Sequence, residues 1–407
     1  MHTKGYTSFL ILKIREILNC PGGGNVTRGT GRRAMIIKDP NTGMNVLTDI
    51  FKNIYDFTEL FYSYQEAIRK KRTRDDIMQF TFDLESNLLE LQNDLIWKTY
   101  SVRPYRSFYV REPKLRLVMA QQFRDRIVNW AIYRQLCPFY DKIFIEDSYA
   151  CRIDKGSHRA ANKLQYWLRA ADRKPSRWYY LKFDISKYFY RVDHQILMDI
   201  LRRRIYDDDT LWLLDKIINS ETRKFGLPAG MAPEECTSEM WLSDVGMPIG
   251  NLTSQLFANI YLNELDQFIK HKLQARRYVR YMDDGVLTSD SKEQLNEWWE
   301  QIEIFLADNL HLSLNRKTCI APCDRGINFV GYKIWATHRI LKKQTARRMI
   351  RHAKNLRDLA LENFISNEYL RAYLASMSGT LEHCDSMGLY TKIFNVFADA
   401  GINVYEF

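Results

Sequence analysis

Three aspartates carry most of the chemistry this sequence can offer. Asp184 closes an apolar run, Trp178-Tyr179-Tyr180-Leu181-Lys182-Phe183-Asp184, while Asp283 and Asp284 sit side by side far downstream between Arg277-Tyr278-Val279-Arg280-Tyr281 and Gly285-Val286-Leu287-Thr288. A carboxylate at the end of a buried strand is costly unless a cation meets it. Three such groups meeting from adjacent strands would repel one another, and a pair of Mg²⁺ ions, with Mn²⁺ as a substitute, relieves that repulsion. Two ions ~3.5–4 Å apart can stabilise both the attacking and the leaving oxygen of an in-line phosphoryl displacement. The chemistry expected of Asp184, Asp283 and Asp284 as metal ligands is therefore nucleotidyl transfer.

Placing those acids requires a strand over 178–184 and a β-hairpin with Asp283-Asp284 at its tip, the Asp284-Gly285 step supporting the turn. Around them the pattern predicts helices at 51–68 and 77–96, the second including Phe82, Leu84, Leu88, Leu89, Leu91 and Leu95 on its apolar face. A hairpin follows with Ser107–Val110 and Arg116–Met119 as strands, then a helix over 123–136. Further helices begin after Asp193, after a capping Asn251, after a Ser291–Gln294 capping box, and at a capping Thr345. Arg69-Lys70-Lys71-Arg72 with Arg74 forms a cationic run, readable either as a solvated turn or as a phosphate contact.

Composition narrows the class. The 407 residues are 46% hydrophobic and 13% aromatic, which excludes a disordered or collagen-like chain. Lys and Arg number 60 against 49 Asp and Glu, a net charge of +11 that favours an anionic partner such as nucleic acid. Seven scattered cysteines form no CxxC pair, so neither a disulfide framework nor a zinc knuckle is indicated, and Cys319 and Cys323 near His311 lack an obvious fourth ligand. With no apolar run long enough to span a membrane, the expectation is a soluble protein of a reducing, cytoplasmic compartment. Residues 1–43 are glycine-rich and read as a flexible leader, with Met44 as an alternative start.

The order of short strings then points to a family. Asp184-Ile185-Ser186-Lys187-Tyr188-Phe189, Gly246-Met247-Pro248-Ile249-Gly250-Asn251-Leu252-Thr253-Ser254-Gln255, Tyr281-Met282-Asp283-Asp284, Leu314-Asn315-Arg316-Lys317-Thr318 and Phe329-Val330-Gly331-Tyr332 resemble, in sequence, five motifs of reverse transcriptases. With Asp147-Ser148-Tyr149-Ala150-Cys151-Arg152 and the Lys155-Gly156 turn, the chain is most similar to those of bacterial and phage diversity-generating retroelements. The resemblance implies an α+β, right-hand polymerase fold: fingers over 44–175, palm over 176–333 with an insertion at about 221–245, thumb over 334–378 and a C-terminal tail over 379–407.

The resemblance also assigns roles. The Ile185 carbonyl would add a ligand to the nucleotide-side ion. Phe189 would sit under the sugar and exclude a 2′-hydroxyl, favouring dNTP substrates. Lys317 would protonate the pyrophosphate leaving group. Arg111, Lys114 and Arg116 are candidates for gripping the triphosphate, Gly250 for close approach to the nascent base pair, and Gln255 for positioning its helix or the template. Retroviral enzymes carry glutamine where this chain has Ile249, so one polar check on the incoming nucleotide is missing and copying is expected to be error-prone.

Implied partners are a template-repeat or other structured RNA, a primer and its cDNA, and a small basic accessory protein. The alternative within the same chemistry is an antiphage-defence enzyme with a dedicated non-coding RNA. The alternative of another class is an inactive RNA-binding scaffold. The stretch after the thumb is too short for a nuclease domain, and retron signatures do not occur.

Overall fold

The computed structural model describes residues 35–402, apart from 112–114, 221–223, 229, 232, 234 and 238. Strands β1 (Met35–Lys38) and β2 (Asn45–Thr48) make one hairpin, β3 (Arg106–Arg111) and β4 (Leu115–Ala120) another. The centre is an antiparallel sheet of β5 (Tyr179–Asp184), β6 (Tyr278–Tyr281), β7 (Asp284–Ser289) and β8 (Cys319–Pro322), in the order β6-β7-β5-β8. A three-stranded sheet, β9 (Ile327–Phe329), β10 (Tyr332–Ile334) and β11 (Arg339–Leu341), follows in the order β11-β10-β9. The fold is α+β, as the motif order implies.

Strand β5 owes its place to an uneven apolar pattern. Tyr180, Leu181 and Phe183 are buried, while Lys182 and Asp184 share the more open face, as the two-residue period of a strand requires. Its neighbour β7 runs antiparallel with Phe183 opposite Gly285. A Cβ on Gly285 would lie 2.2 Å from Phe183 Cζ, so the glycine is there to admit the ring. The expectation that Asp284-Gly285 makes the turn is thus corrected. The turn is Met282-Asp283, with Met282 at φ 53°, and both Asp284 and Gly285 belong to β7.

Several helix ends also differ, each for a local reason. The stretch 51–68 breaks at Asp56, whose side chain caps the helix Phe57–Ala67 by accepting from Thr58 and Glu59. The stretch 77–96 breaks at Asp83, and the phase change leaves Phe82 95% exposed instead of on the apolar face. Ser291 does cap the helix Lys292–Leu310, but Gln294 reaches Ser289 Oγ rather than the Ser291 amide. Asn251 and Thr345 make no side-chain cap; the second of these lies inside the helix Lys343–Leu361, which begins after Lys342.

Residues 379–402, set apart above as a tail, hold the end of the helix Asn367–Leu381 and all of the helix Met387–Ala398. Ile393 and Phe397 of the latter are fully buried in one core with Leu164, Val279, Val286, Phe329, Ile334, Leu356 and Leu374. Each such side chain is worth about 1.5–3 kcal/mol of burial. Between 218 and 252, the described residues of the 221–245 segment form no extended strand, yet they are packed: Phe225 stacks on Tyr190 at 4.7 Å and on Trp241 at 6.0 Å.

Beneath the acid-bearing turn lies a fully buried ion pair. Arg280, in β6, donates to both carboxylate oxygens of Asp266 at 2.7 and 2.6 Å, and both side chains have no exposure. Tyr278 Oη donates to the same carboxylate at 2.8 Å. The Nη2 that meets Asp266 also donates to Ser148 Oγ at 3.2 Å, and the remaining nitrogen, Nη1, donates to the Met282 carbonyl at 2.9 Å. The β6 backbone meets the chain at Asp147–Tyr149: the Arg280 amide donates to Asp147 O, and the Tyr149 amide donates to Arg280 O, both at 3.0 Å.

Removing one member of such a pair strands the other charge in the interior. Asp266→Ala is expected to cost about 3–5 kcal/mol in urea unfolding, and a paired Asp266→Leu/Arg280→Met change to recover much of that loss. A single-variant loss below about 1 kcal/mol would show that water reaches the pair.

Candidate active site at the end of the four-stranded sheet

The sheet register alone brings the acids together. Asp184, the last residue of β5, has Asp284, the first of β7, as its cross-strand partner. Asp283 occupies the adjoining turn, and its carbonyl accepts from the Ile185 amide at 3.1 Å. The fourth motif string closes the other side: the Asn315 amide donates to Asp184 O at 2.7 Å and the Ser186 amide to Ser313 O at 2.8 Å. The Ile185 carbonyl accepts no hydrogen bond among the described residues and is left available at the same corner.

Electrostatics follow from the crowding. Burial, then the negative charge of Asp184, pushes the Asp283 carboxyl up to about 6, with Asp284 and the hydrogen bond that protonated Asp283 donates to Asp184 adding to the rise. Burial also raises Asp284, against the pull of Lys182. Lys182 Nζ lies 2.8 Å from Asp284 Oδ1 and 3.1 Å from Oδ2; only the second has the angle of a directed hydrogen bond, so Oδ1 is charge-paired but without a hydrogen-bond donor. Lys342 stands near the same acids, its pKa lowered by burial and by Lys182 while Asp284 and Asp184 oppose the fall. The motif strings missed both lysines as site residues. The strand period was the signal for Lys182, two positions before Asp184, whereas nothing local singled out Lys342, which precedes the helix Lys343–Leu361.

These groups fit a hard divalent cation in part. Asp184, Asp283 and the Ile185 carbonyl offer oxygen donors at one corner, and the proton demand of Asp283 marks a place where a cation is wanted. No three acid, histidine or cysteine side chains among the described residues are already gathered as a metal-ligand group. The reason lies in Asp284, which is turned onto Lys182 and would join a ligand shell only by exchanging that partner.

The second motif string lies against the first. The Met247 amide donates to Phe189 O and the Gly246 amide to Val192 O, both at 2.7 Å. Phe189 and Ile249 are half-buried against the same apolar group of Leu117, Met119, Tyr190, Phe225, Leu227 and Trp241. Gly250 is exposed at φ 111°, and a Cβ there would touch Val118 of β4 at 3.6 Å, which sets this loop beside the β3–β4 hairpin. Arg111 and Arg116 are exposed on that hairpin; Lys114 lies outside the described residues. Gln255 is half-buried. Lys317 is exposed on the turn after Asn315, its amide donating to Asn315 Oδ1 at 3.1 Å, and its side chain meets none of the acids among the described residues.

The raised Asp283 carboxyl has a thermodynamic consequence. Its folded value of about 6 lies above the ordinary 3.8, so the folded state holds this proton more tightly than the unfolded chain does. Its contribution to stability is present below about pH 4 and is lost as pH rises to about 6. With chelator present, Asp283→Asn should therefore be more stable than the native protein by about 1–2 kcal/mol near pH 7, and the gap should close near pH 4. Adding Mg²⁺ should stabilise the native protein and narrow the gap. Denaturant titrations at several pH values check this, and a gap that ignores pH would refute it.

Residues 110–334 match the family described as reverse transcriptase (RNA-dependent DNA polymerase). The chain is 27% identical over 326 residues to protein YkfC of Escherichia coli K12, covering 72% of this chain and 81% of that protein. It is 22% identical over 361 residues to the group II intron-encoded protein LtrA of Lactococcus lactis subsp. cremoris, covering 71% of this chain but 57% of LtrA. A putative COX1/OXI3 intron 2 protein of Saccharomyces cerevisiae is 22% identical over 82% of this chain and 45% of its own length. Among solved structures, telomerase from Candida albicans aligns with a TM-score of 0.42 at 11% identity, over 79% of this chain and 66% of that one. The chain thus spans about half the length of the intron-encoded relatives. With the family match running from the β3–β4 hairpin, through the strands that carry the three aspartates, to β10, the chain belongs to the reverse transcriptases, the RNA-dependent DNA polymerases.

Proposed function

We propose that this protein extends a primer 3′-hydroxyl on an RNA template at the corner formed by Asp184, Asp283 and Asp284. The observation that carries the proposal is the register in which Asp184 faces Asp284, with Asp283 in the turn between strands. When bound, a pair of Mg²⁺ ions would supply charge stabilisation for the attacking and leaving oxygens. The chain's own part is to hold the ligands: Asp184, Asp283 and the Ile185 carbonyl first, with Asp284 released from Lys182.

Phe189 acts as the floor under the sugar and so selects dNTPs; its half-buried position beside Ile249 supports that role. Gly250 gives the nascent pair room, Arg111, Lys114 and Arg116 hold the triphosphate, Gln255 steadies its helix or the template, and Lys317 supplies the proton to pyrophosphate. For Lys317, the exposed side chain must swing toward the acids once substrate is bound.

Within the family, the proposal is an error-prone enzyme of the diversity-generating kind, working in the cytoplasm with a template-repeat RNA and a small basic accessory protein. Ile249 and the Asp147–Gly156 string support this branch, and the free cysteines among the described residues suit a reducing compartment. The defence-type alternative shares every active-site residue and differs only in its RNA.

Primer extension on an RNA template with Mg²⁺ and dNTPs tests the activity. Asp184→Asn is expected to lower the rate by at least two to three orders of magnitude, roughly what losing a key electrostatic contact costs, while RNA affinity holds. Unchanged extension by that variant would remove the acids from the chemistry. Ile249→Gln restores a hydrogen-bonding group beside the nucleotide and should cut misincorporation by about fivefold, the worth of one hydrogen bond of about 1 kcal/mol. Sequencing the products reads that out, and an unaltered error spectrum would mean that Ile249 does not set fidelity.

A further inference from the structure

Between the helices Phe57–Ala67 and Asp75–Phe82 the chain turns through Arg69-Lys70-Lys71-Arg72. The turn is ordered by its backbone: the Arg69 amide donates to Glu66 O at 3.3 Å, Lys71 to Ile68 O at 2.9 Å and Arg74 to Lys71 O at 3.2 Å. Lys70 sits at φ 60°, in the left-handed region where glycine or asparagine would rest with less strain. Arg69 lies 3.8 Å from Glu66 and Arg74 3.6 Å from Asp76. Among the described residues, Lys70, Lys71 and Arg72 have no carboxylate within ion-pair distance, so three adjacent charges fan outward without compensation.

This turn rims a recess of about 390 Å³ lined by Glu66, Ala67, Arg69, Lys70, Lys71 and Trp130. The recess lies open to solvent. Trp130 belongs to the helix Phe123–Tyr140, one residue past Asn129, whose side chain is buried against Thr253 Oγ1. A one-residue step on a helix rotates the side chain well away, so Trp130 is half-buried and meets Tyr133 edge to face at 5.7 Å. A merely solvated turn needs neither an aromatic wall nor uncompensated like charges. An indole beside a row of cations is what an unpaired nucleotide asks for, since every base has a face to stack and every link a phosphate to neutralise.

We propose that this recess is a second RNA-binding site. It takes one unpaired nucleotide with its base on Trp130 and its flanking phosphates on Lys70 and Lys71. None of the aspartates, nor Phe189, Ile249 or Gly250, lines it, so it anchors a part of the RNA away from the reacting end. The inference deepens the polymerase reading and rests on it for the identity of the strand.

The test uses the full-length protein and two fluorescein-labelled RNA-template/DNA-primer duplexes, one with a long single-stranded template extension and one with the extension trimmed to a few nucleotides. Lys70→Ala/Lys71→Ala and, separately, Trp130→Leu should weaken binding of the long form about tenfold, in the range of one lost stacking contact, while Trp130→Phe keeps most of it. The lysine variant should also flatten the slope of log affinity against log salt by about 1.4, at ~0.7 per phosphate on a single strand. Affinity for the trimmed form, and the extension rate on it, should stay at the native level. Equal loss on both duplexes, no loss on either, or displacement of the long RNA by polyglutamate as readily as by oligouridine would each overturn the proposal. The lysines are exposed, so the double variant keeps its fold, and its unfolding curve confirms that. Should native protein extend no primer while the variants still lose affinity for the long RNA, the polymerase reading fails and the recess stands as an RNA site.

Discussion

Like charges do not gather unless something else holds the backbone that carries them. Here the holding interaction is the buried Arg280–Asp266 pair, which spends one guanidinium nitrogen on the carbonyl of Met282, the residue that makes the acid-bearing turn. A carbonyl fixed at 2.9 Å sets the turn, and the turn sets where Asp283 lies relative to Asp184. The same arginine reaches Ser148, and its backbone exchanges hydrogen bonds with Asp147 and Tyr149, so the segment read as fingers is tied to the strand that presents the acids. A hydrophobic residue at 280 could fill the volume, but it would leave the turn's carbonyl without a donor.

The second constraint is the charge balance at the corner itself. Burial and the charge of Asp184 hold the Asp283 carboxyl above the ordinary carboxylate range, Asp284 leans on Lys182, and Lys342 supplies a further positive charge from the start of the helix Lys343–Leu361. Each arrangement lowers the repulsion that ionised carboxylates would feel without a metal. Because Lys342 also donates its amide to Gly331 O, the strand end that precedes the basic helix is mechanically joined to the loop between β9 and β10. The helix Lys343–Leu361 therefore begins beside a residue that senses the acids.

Much of this was legible in the sequence, and the reasons are specific. That Asp184 would meet the Asp283-Asp284 pair at neighbouring strand ends followed from an apolar strand ending in one acid and a hairpin bearing two, but the register that sets Asp284 opposite Asp184 did not, because Asp284 was read as a turn residue. The hooking of residues 246–247 onto Phe189 and Val192 is carried by backbone groups and was not legible in either string. What escaped was set by tertiary packing. Nothing local marks Arg280 as fully buried, because its partner Asp266 lies 14 residues upstream on a separate helix, Leu252–Gln267. Gly285 looked like a turn residue because Asp-Gly usually is one, and only the Phe183 ring explains it. Phe82 kept the helical period but lost its face when Asp83 broke the helix.

The 221–245 segment shows why an insertion need not be an appendage. Its Phe225 stacks on Tyr190, Trp241 meets the same ring at a tilt, and Leu227 packs with them to close the apolar group on which Phe189 and Ile249 rest. Gly226 is held there without latitude, since a Cβ would come within 2.4 Å of Val245 Cγ2, and a Cβ on Gly246, at φ 90°, would lie 3.0 Å from the Gly226 backbone. The two residues proposed to judge sugar and base thus sit on a floor built by residues that the common motif pattern does not contain. Their rotamers depend on that floor, because a half-buried side chain takes the position its neighbours leave open. Differences in nucleotide selection between this chain and relatives with the same motif strings are then expected to originate in the aromatic layer beneath the strings as much as in the strings themselves.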